Sequence, residues 1–380
     1  FIVGQAGIFG TRTVIGKIAN YEQPSKYIVE STDYNDAFDV PVLTAGQTFI
    51  LGYTNESTGI FRASKLNPVI IFDDFTGAFK GVDFSFKVKS SAMKIITASN
   101  DVSIRYLFHV MGFLHYSSNE HKRLWIGIYS EFEVPVPPLE IQREIVRILD
   151  NFTNLTAELT AELTARKAQY SYYRDKLLTF ESRIQLLPLK DIAKFSYGYT
   201  DKAQEHGDTR FLRITDIAED GTMKPEGAKY ILLNDESKKY LVKKGDLLLA
   251  RTGATYGKTL YVPDNSPAVY ASFLIKIELD NSKISNRYYW HFSKSNQYWR
   301  QAEKLVSKGG QQQFNTNAVE RVVVPVPPLD VQNRIVNVLD NFEKICSDLN
   351  IGLPAEIEAR QKQYEYYRDK LLTFKEVAAT

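Results

Sequence analysis

A block of nineteen residues recurs in this chain with thirteen positions identical (19 − 6 = 13). VPVPPLEIQREIVRILDNF at 134–152 returns as VPVPPLDVQNRIVNVLDNF at 324–342, an offset of 190. QYSYYRDKLLTF at 169–180 returns as QYEYYRDKLLTF at 363–374, an offset of 194, so the second copy carries four extra residues (194 − 190 = 4). A weaker echo, SIRYLFH at 103–109 and SNRYYWH at 285–291, predicts that the regions upstream of the two blocks share a fold. A period this long excludes a solenoid of 20–50-residue units and implies a globular region followed by a repeated segment, twice over.

Each repeated segment reads as a long helix. Pro137 and Pro138 precede the first, and Ile141, Ile145, Ile148, Phe152, Leu155, Leu159, Leu163, Tyr170, Tyr173 and Leu177 recur mostly at steps of three or four. From Ile141 to Phe180 it would be about 60 Å long. The second copy offers a matching stripe of Val331, Ile335, Val338, Phe342, Ile345, Leu349, Ile357, Tyr364, Tyr367 and Leu371, which predicts an intramolecular coiled coil. The alternative is that each stripe packs on its own globular region. Gly352 and Pro354 are expected to interrupt the second helix. LTAELTAELTAR inside the first is a tandem tetrapeptide repeat. Each unit adds about 6 Å and turns the helix by about 40°, so it is either a spacer or simply a good helix former.

The globular regions, about 13–133 and 187–323, are rich in short strand patterns such as TFILGYTN, PVIIFDDF, RFLRITDI, GDLLLARTG and VYASFLIKIEL, which predicts mixed α/β domains. Their loops set aromatics beside amide, hydroxyl and basic side chains: Tyr53, Asn55 and Glu56 in one; Arg251, Thr252, Tyr256 and Lys258 in another; Lys308, Gln311, Gln312, Gln313, Asn315 and Asn317 in a third. Arg, Gln and Asn can make bidentate contacts to base edges, while Lys and Ser/Thr usually meet phosphate.

Searches for catalysis find little. RTGATYGKT at 251–259 looks like a phosphate-binding loop, but Gly253 and Gly257 enclose three residues where four are needed, and the prolines of LYVPDNSP exclude the helix that should follow. It reads as a strand–turn–strand. Asp73 and Asp74 with Lys87 and Lys89 lack a nuclease arrangement, and VPPL lacks the residues that would hold an amino group for methyl transfer. His109, His115 and His121 are six apart, which does not share one helical face; His109 belongs to the echo and reads as packing.

Composition sets the remaining bounds. A single cysteine, Cys346, excludes an internal disulfide and fits a reducing, cytoplasmic setting. No apolar run approaches the roughly 20 residues of a membrane span, so no membrane partner is expected. The chain opens at Phe1, and residues 1–12 read as an atypical, trimmed N-terminal segment. The net charge of +2, from 47 basic and 45 acidic residues, leaves DNA binding to local charge rather than to the total.

The paired VPVPPL(E/D)xQxxIVxxLDNF and QYxYYRDKLLTF blocks, the LTAELTAELTA tract and the GDLLLARTGATYGKT stretch make nearly the whole chain resemble the specificity subunit of type I restriction-modification enzymes. The resemblance implies an α+β fold. Residues 13–133 and 187–323 would be target recognition domains in a pseudo-twofold arrangement, held by two long antiparallel helices in the repeated segments 134–186 and 324–380. It implies a subunit without catalytic activity or bound cofactor that reads a bipartite, asymmetric double-stranded DNA site. Two modification subunits would bring S-adenosylmethionine and methylate adenine, and restriction subunits would bring ATP and Mg. The candidate DNA contacts are Tyr53, Asn55, Lys122, Arg123, Arg251, Thr252, Tyr256, Lys258, Lys308, Gln311, Gln312, Gln313 and Asn315. The competing readings are a coiled-coil adaptor joining two ligand-binding modules without DNA, and a nucleotide hydrolase at 253–259.

Overall fold

The computed structural model describes residues 11–44, 48–116, 122–180, 184–307, 312–347 and 351–373. It divides into two compact units, Phe1–Leu159 with Ile357–Thr380, and Thr160–Glu356. The division at Leu159 falls inside the tetrapeptide repeat. Among the described residues no helix is long and apolar enough to cross a membrane.

In the first unit β1 (Thr11–Val14), α1 (Ile15–Ile18) and β2 (Ala19–Glu22) lead into β3 (Val40–Leu43), β4 (Ile50–Thr54), β5 (Val69–Asp73), β6 (Phe79–Val82), β7 (Lys87–Val88) and β8 (Met93–Ala98). Helix α2 (Ile104–Phe113) and β9 (Glu133–Val136) follow. The sheets are β2-β8-β5-β6, β4-β3-β7 and the pair β1-β9, with Arg12 opposite Pro135. Strand β5 is buried on both faces, as its unbroken VIIF predicts. Ile70 and Phe72 join the core that includes α2, and Val69 and Ile71 the core between the sheets.

Helix α3 (Leu139–Leu177) runs unbroken for 39 residues, about 58 Å, from the first unit into the second. There follow β10 (Gln185–Pro188), β11 (Ala193–Tyr197), β12 (Thr209–Leu212), β13 (Tyr230–Ile231), β14 (Leu247–Ala250), β15 (Thr259–Tyr261), β16 (Ala268–Tyr270) and β17 (Leu274–Leu279). Then come α4 (Asn286–Phe292), α5 (Asn296–Leu305), α6 (Thr316–Val319), β18 (Val323–Val326), α7 (Leu329–Ser347) and α8 (Leu353–Leu372). The second unit's sheets are β11-β17-β14-β15, β13-β12-β16 and β10-β18. Strand β14 does what β5 does: Leu247 and Leu249 face one core, Leu248 and Ala250 the other. The break between α7 and α8 falls beside Gly352 and Pro354, as expected.

The helical stripe is only partly the buried face. Ile145 and Leu149 are buried in α3 and Ile335 and Leu339 in α7, whereas Ile141 and Leu155 are 37% exposed and Val338 and Ile345 43%. Leu149 and Leu339 stand outside the expected stripe, because each helix seats first on a globular region and only then on another helix. Helix meets helix through ring stacks: Phe152 on Tyr367 at 5.2 Å in the first unit, Phe342 on Tyr173 at 5.6 Å in the second. Leu349 of that stripe lies outside the described residues.

The seat is polar at its centre and recurs in both units. His109 Nε2 lies 2.8 Å from Asp150 Oδ1, its Nδ1 3.0 Å from the Tyr364 hydroxyl, and Arg105 pairs with the same carboxylate at 2.7 Å. In the second unit His291 sits 2.7 Å from Asp340 and 3.1 Å from Tyr170, with Arg287 at 2.8 Å from Asp340. An ionised carboxylate only accepts, so Nε2–H donates to it; burial favours the neutral imidazole, in which Nδ1 carries a lone pair and accepts from the tyrosine hydroxyl. Both ring nitrogens of each histidine are then satisfied. Burial lowers the pKa of His109, and that of His291 falls to about 4. Burial pushes the Asp150 carboxyl up, but the histidine hydrogen bond and the Arg105 charge outweigh it and hold the group below the usual range; Asp340 behaves likewise.

A buried glutamine ties the start of each repeat helix to the region before it. Gln332 donates to Pro327 O and Lys283 O, both at 2.8 Å, and accepts from Ser285 N at 2.9 Å. Gln142 does the same with Pro137 O, Asp101 O and Ser103 N.

Two outcomes are expected. Leu339→Ala, at a fully buried position, should cost about 2–5 kcal/mol in urea unfolding, while Val338→Ala, at a 43% exposed one, stays below about 1 kcal/mol. The depressed His291 pKa makes a contribution to stability that is complete above the ordinary imidazole value of 6.5 and is lost as pH falls toward about 4. The melting temperature should fall over that window and fall less in His291→Gln; equal slopes would contradict the assignment.

Candidate nucleic-acid interface

The loop after β14 is held open by glycine. Gly253 and Gly257 have φ of +74° and +78°, and a Cβ at Gly257 would meet Trp299 at 3.1 Å. Residues 253–255 form one 3-10 turn, and the chain returns as β15, antiparallel to β14. This is the expected strand–turn–strand, with no helix whose N-terminus could face a phosphate.

Arg251 leaves β14 between two rings. Its guanidinium is 5.3 Å from the ring centroids of both Tyr197 and Phe273. Nε donates to Ser272 O at 3.1 Å and Nη1 to Gln313 Oε1 at 3.5 Å; among the described residues nothing is bonded to Nη2. The glutamine-rich loop is stitched to this one by an antiparallel bridge between Thr252 and Gln313. Gln313 Nε2 donates to Thr252 Oγ1, which donates to Gln312 O at 3.3 Å. Tyr197 also accepts from Thr316 N at 3.3 Å. Tyr197 is 43% and Phe273 51% exposed, so the second unit presents a surface of two aromatic rims around a guanidinium, with amides beside it.

The structure thus gathers Arg251, Thr252, Gln312 and Gln313 but gives them different work. Thr252 is buried and positions the glutamines; Tyr256 packs against Trp299 and Phe314; Asn315 caps α6 by accepting from Ala318 N at 3.1 Å. Lys258 is half-buried and faces a cavity beside α3. Lys308 and Gln311 lie outside the described residues. Tyr197 and Phe273 carry no signal in the sequence: each is a single aromatic in an unremarkable tract, and only strand pairing brings both to Arg251.

In the first unit Asn55, Lys122 and Arg123 are exposed and Tyr53 is half-buried on β4. Glu56 is internal: it pairs with Lys87 at 2.6 Å and accepts from Glu30 N and Ser31 N, which buttresses the loop. Burial raises its pKa, but those three donors outweigh it and hold the carboxyl low. Lys87, buried, also donates to Thr58 O. Asp74 pairs with buried Lys94 at 3.3 Å and accepts from Leu124 N and Trp125 N. Asp74 and Lys87 are thereby used in holding the domain together, each with a partner, Lys94 and Glu56, from outside the Asp73, Asp74, Lys87 and Lys89 set. His291, Asp340 and Glu343 are close enough to hold a metal, but Arg287 reaches both carboxylates, at 2.8 and 2.5 Å, and supplies the cation.

A family model described as a type I restriction modification DNA specificity domain matches residues 8–166 and 182–359. The chain is 40% identical over 399 residues to the EcoR124I/EcoR124II specificity subunit of Escherichia coli, a match covering 95% of this chain and 93% of that protein. Its fold matches the crystal structure of a type I restriction-modification S subunit from M. genitalium, with a TM-score of 0.61 and 12% identity, covering 100% of this chain and 99% of the other. A second solved chain, from work on assembly and conformational transition of the type I system, gives 0.59 at 14% identity, covering 97% and 99%.

If Thr252 positions rather than contacts, Thr252→Ser should keep the loop's affinity for a ligand and Thr252→Val should weaken it, since only serine retains the hydroxyl between Gln312 and Gln313. Titration of oligonucleotide duplexes with both variants distinguishes them; equal affinities would remove the positioning role.

Proposed function

The chain belongs to the family of type I restriction-modification DNA specificity subunits, noncatalytic components of those enzymes, and from that premise we propose that it reads a two-part, asymmetric DNA site with one recognition domain per half. The recognition domains are residues 13–133 and 187–323. The observation that carries the reading is one frame used twice with two different surfaces. The His–Asp–Tyr seat and the buried glutamine are the same in both units, while the loops are not: Tyr53, Asn55, Lys122 and Arg123 in one, Arg251, Gln312 and Gln313 with Tyr197 and Phe273 in the other.

In this reading Arg251 meets a base edge, guanine O6 and N7 being the geometric match for a guanidinium, and the flanking rings hold it extended. Exposed Lys122 and Arg123 meet phosphate. The exposed faces of the repeat helices dock two modification subunits, which carry S-adenosylmethionine and methylate adenine in the cytoplasm; restriction subunits carry ATP and Mg. With a net charge of only +2, this chain supplies recognition while its partners supply much of the phosphate contact.

The deciding experiment is sequence-resolved adenine methylation of random DNA by a cognate modification subunit, with and without this chain. Methylation at one two-part motif, only when the chain is present, is the expected result; methylation indifferent to the chain would leave the adaptor reading. Arg251→Lys should lower methylation of the cognate site roughly five- to 150-fold through one half-site, since a bidentate base contact is worth about 1–3 kcal/mol. Deleting one LTAE unit shortens α3 by about 6 Å and should shorten the unread gap by about one or two base pairs. An unchanged gap would sink the spacer role.

A further inference from the structure

The two seats differ in what surrounds one arginine. Four residues after the seat tyrosine, each unit has an arginine: Arg368 after Tyr364 and Arg174 after Tyr170. In the first unit Arg368 is fully employed, donating to Gly112 O at 3.2 Å, to His115 Nε2 at 2.6 Å and to its neighbour Asp369 at 2.7 Å. In the second, the repeat offsets replace Gly112 by Lys294 (112 + 182) and Thr153 by Glu343 (153 + 190).

Arg174 has fewer hydrogen-bond partners than Arg368. Its Nε is buried with no hydrogen bond, and its ion pair is a 3.5 Å contact to Asp175, whose oxygens already accept from Asn296 N and Nδ2. Lys294 lies 3.5 Å from the centroid of the Trp290 ring and 3.6 Å from Glu343, a carboxylate that Arg287 holds at 2.5 Å. Burial lowers the Lys294 pKa to about 8 and raises that of Glu343. Beside these groups opens a cavity of about 450 Å³, into which Lys167 and Lys258 also face and at whose rim stand exposed Glu219 and Asp220. Four cations, Lys167, Arg174, Lys258 and Lys294, line the cavity against three carboxylates, Glu219, Asp220 and Glu343, so its balance is positive. The volume is that of a small organic ligand rather than of a bare oxyanion.

We propose that this cavity of the second unit binds a phosphate monoester of a small hydroxyl-bearing molecule. The phosphate oxygens accept from Arg174, Lys294 and Lys258, and the carrier's hydroxyls donate to Glu219 and Asp220. Because α3, α5 and α7 all contribute to the wall, the ligand ties the repeat helices to the second recognition region, whereas the first unit has Gly112 and Thr153 where the second has Lys294 and Glu343.

The test is calorimetric titration of the full chain with ribose 5-phosphate and with inorganic phosphate. Saturable one-to-one binding of ribose 5-phosphate, competed by phosphate, should weaken at least tenfold in Lys294→Gln and remain in Lys238→Gln, an exposed lysine elsewhere. Ser171→Trp, at an exposed rim position, should block binding without touching the buried charges and decides the matter should Lys294→Gln fail to fold. No saturable binding by the folded wild-type chain at millimolar ligand, or equal binding in both cavity variants, would overturn the proposal. Neither result bears on DNA site selection, which the methylation experiment reads separately.

Discussion

A carboxylate, an imidazole and a phenol in line, Asp150–His109–Tyr364 and Asp340–His291–Tyr170, fix each globular region to its helices. Apolar contacts such as those of Leu149 or Leu339 favour docking but tolerate sliding. A neutral imidazole that must donate on one side and accept on the other does not, because a shift by one residue leaves a buried polar group unpaired, at about 1–3 kcal/mol each. The buried glutamines add a second fixed point at the helix start. Everything a recognition loop can do rests on this register, since a side chain aimed at a base edge must be placed to a fraction of an ångström.

The same arrangement separates stability from specificity. What holds each unit is repeated nearly residue for residue, whereas what each unit shows to a ligand is not. Arg251, framed by Tyr197 and Phe273, has no equivalent in the Tyr53–Asn55 loop, whose carboxylate Glu56 is spent on Lys87 and two backbone amides. In a frame of this kind the exposed loop members can change without disturbing the core, while buried ones such as Thr252 and Phe314 hold the loops in place.

The repeat, the long helices, the break near Gly352 and the turn at Gly253–Gly257 were legible in the sequence, because each depends on local periodicity or on backbone that only glycine or proline suits. The buried face of the helices was not. The apolar pattern allows several neighbouring stripes, and only the docked region selects Leu149 and Leu339 over Ile141 and Val338. The surface around Arg251 was half legible. Its charged and amide members stand in two readable loops, but Tyr197 and Phe273 come to it across the β11-β17-β14 pairing, which no local pattern announces. Glu56 shows the converse, a polar loop residue that tertiary structure turns inward.

The seat tyrosine of the first unit, Tyr364, lies 255 residues after its histidine, while that of the second, Tyr170, lies 121 residues before. A chain made from its amino end therefore has all of the second unit once residue 356 has emerged, but lacks Tyr364, Leu371 and Leu372 for the first. The half that is synthesised first is completed last. Until then His109 lacks its tyrosine and the core around α2 lacks two leucines, an exposure to misassociation that unfolding equilibria of the finished chain do not register.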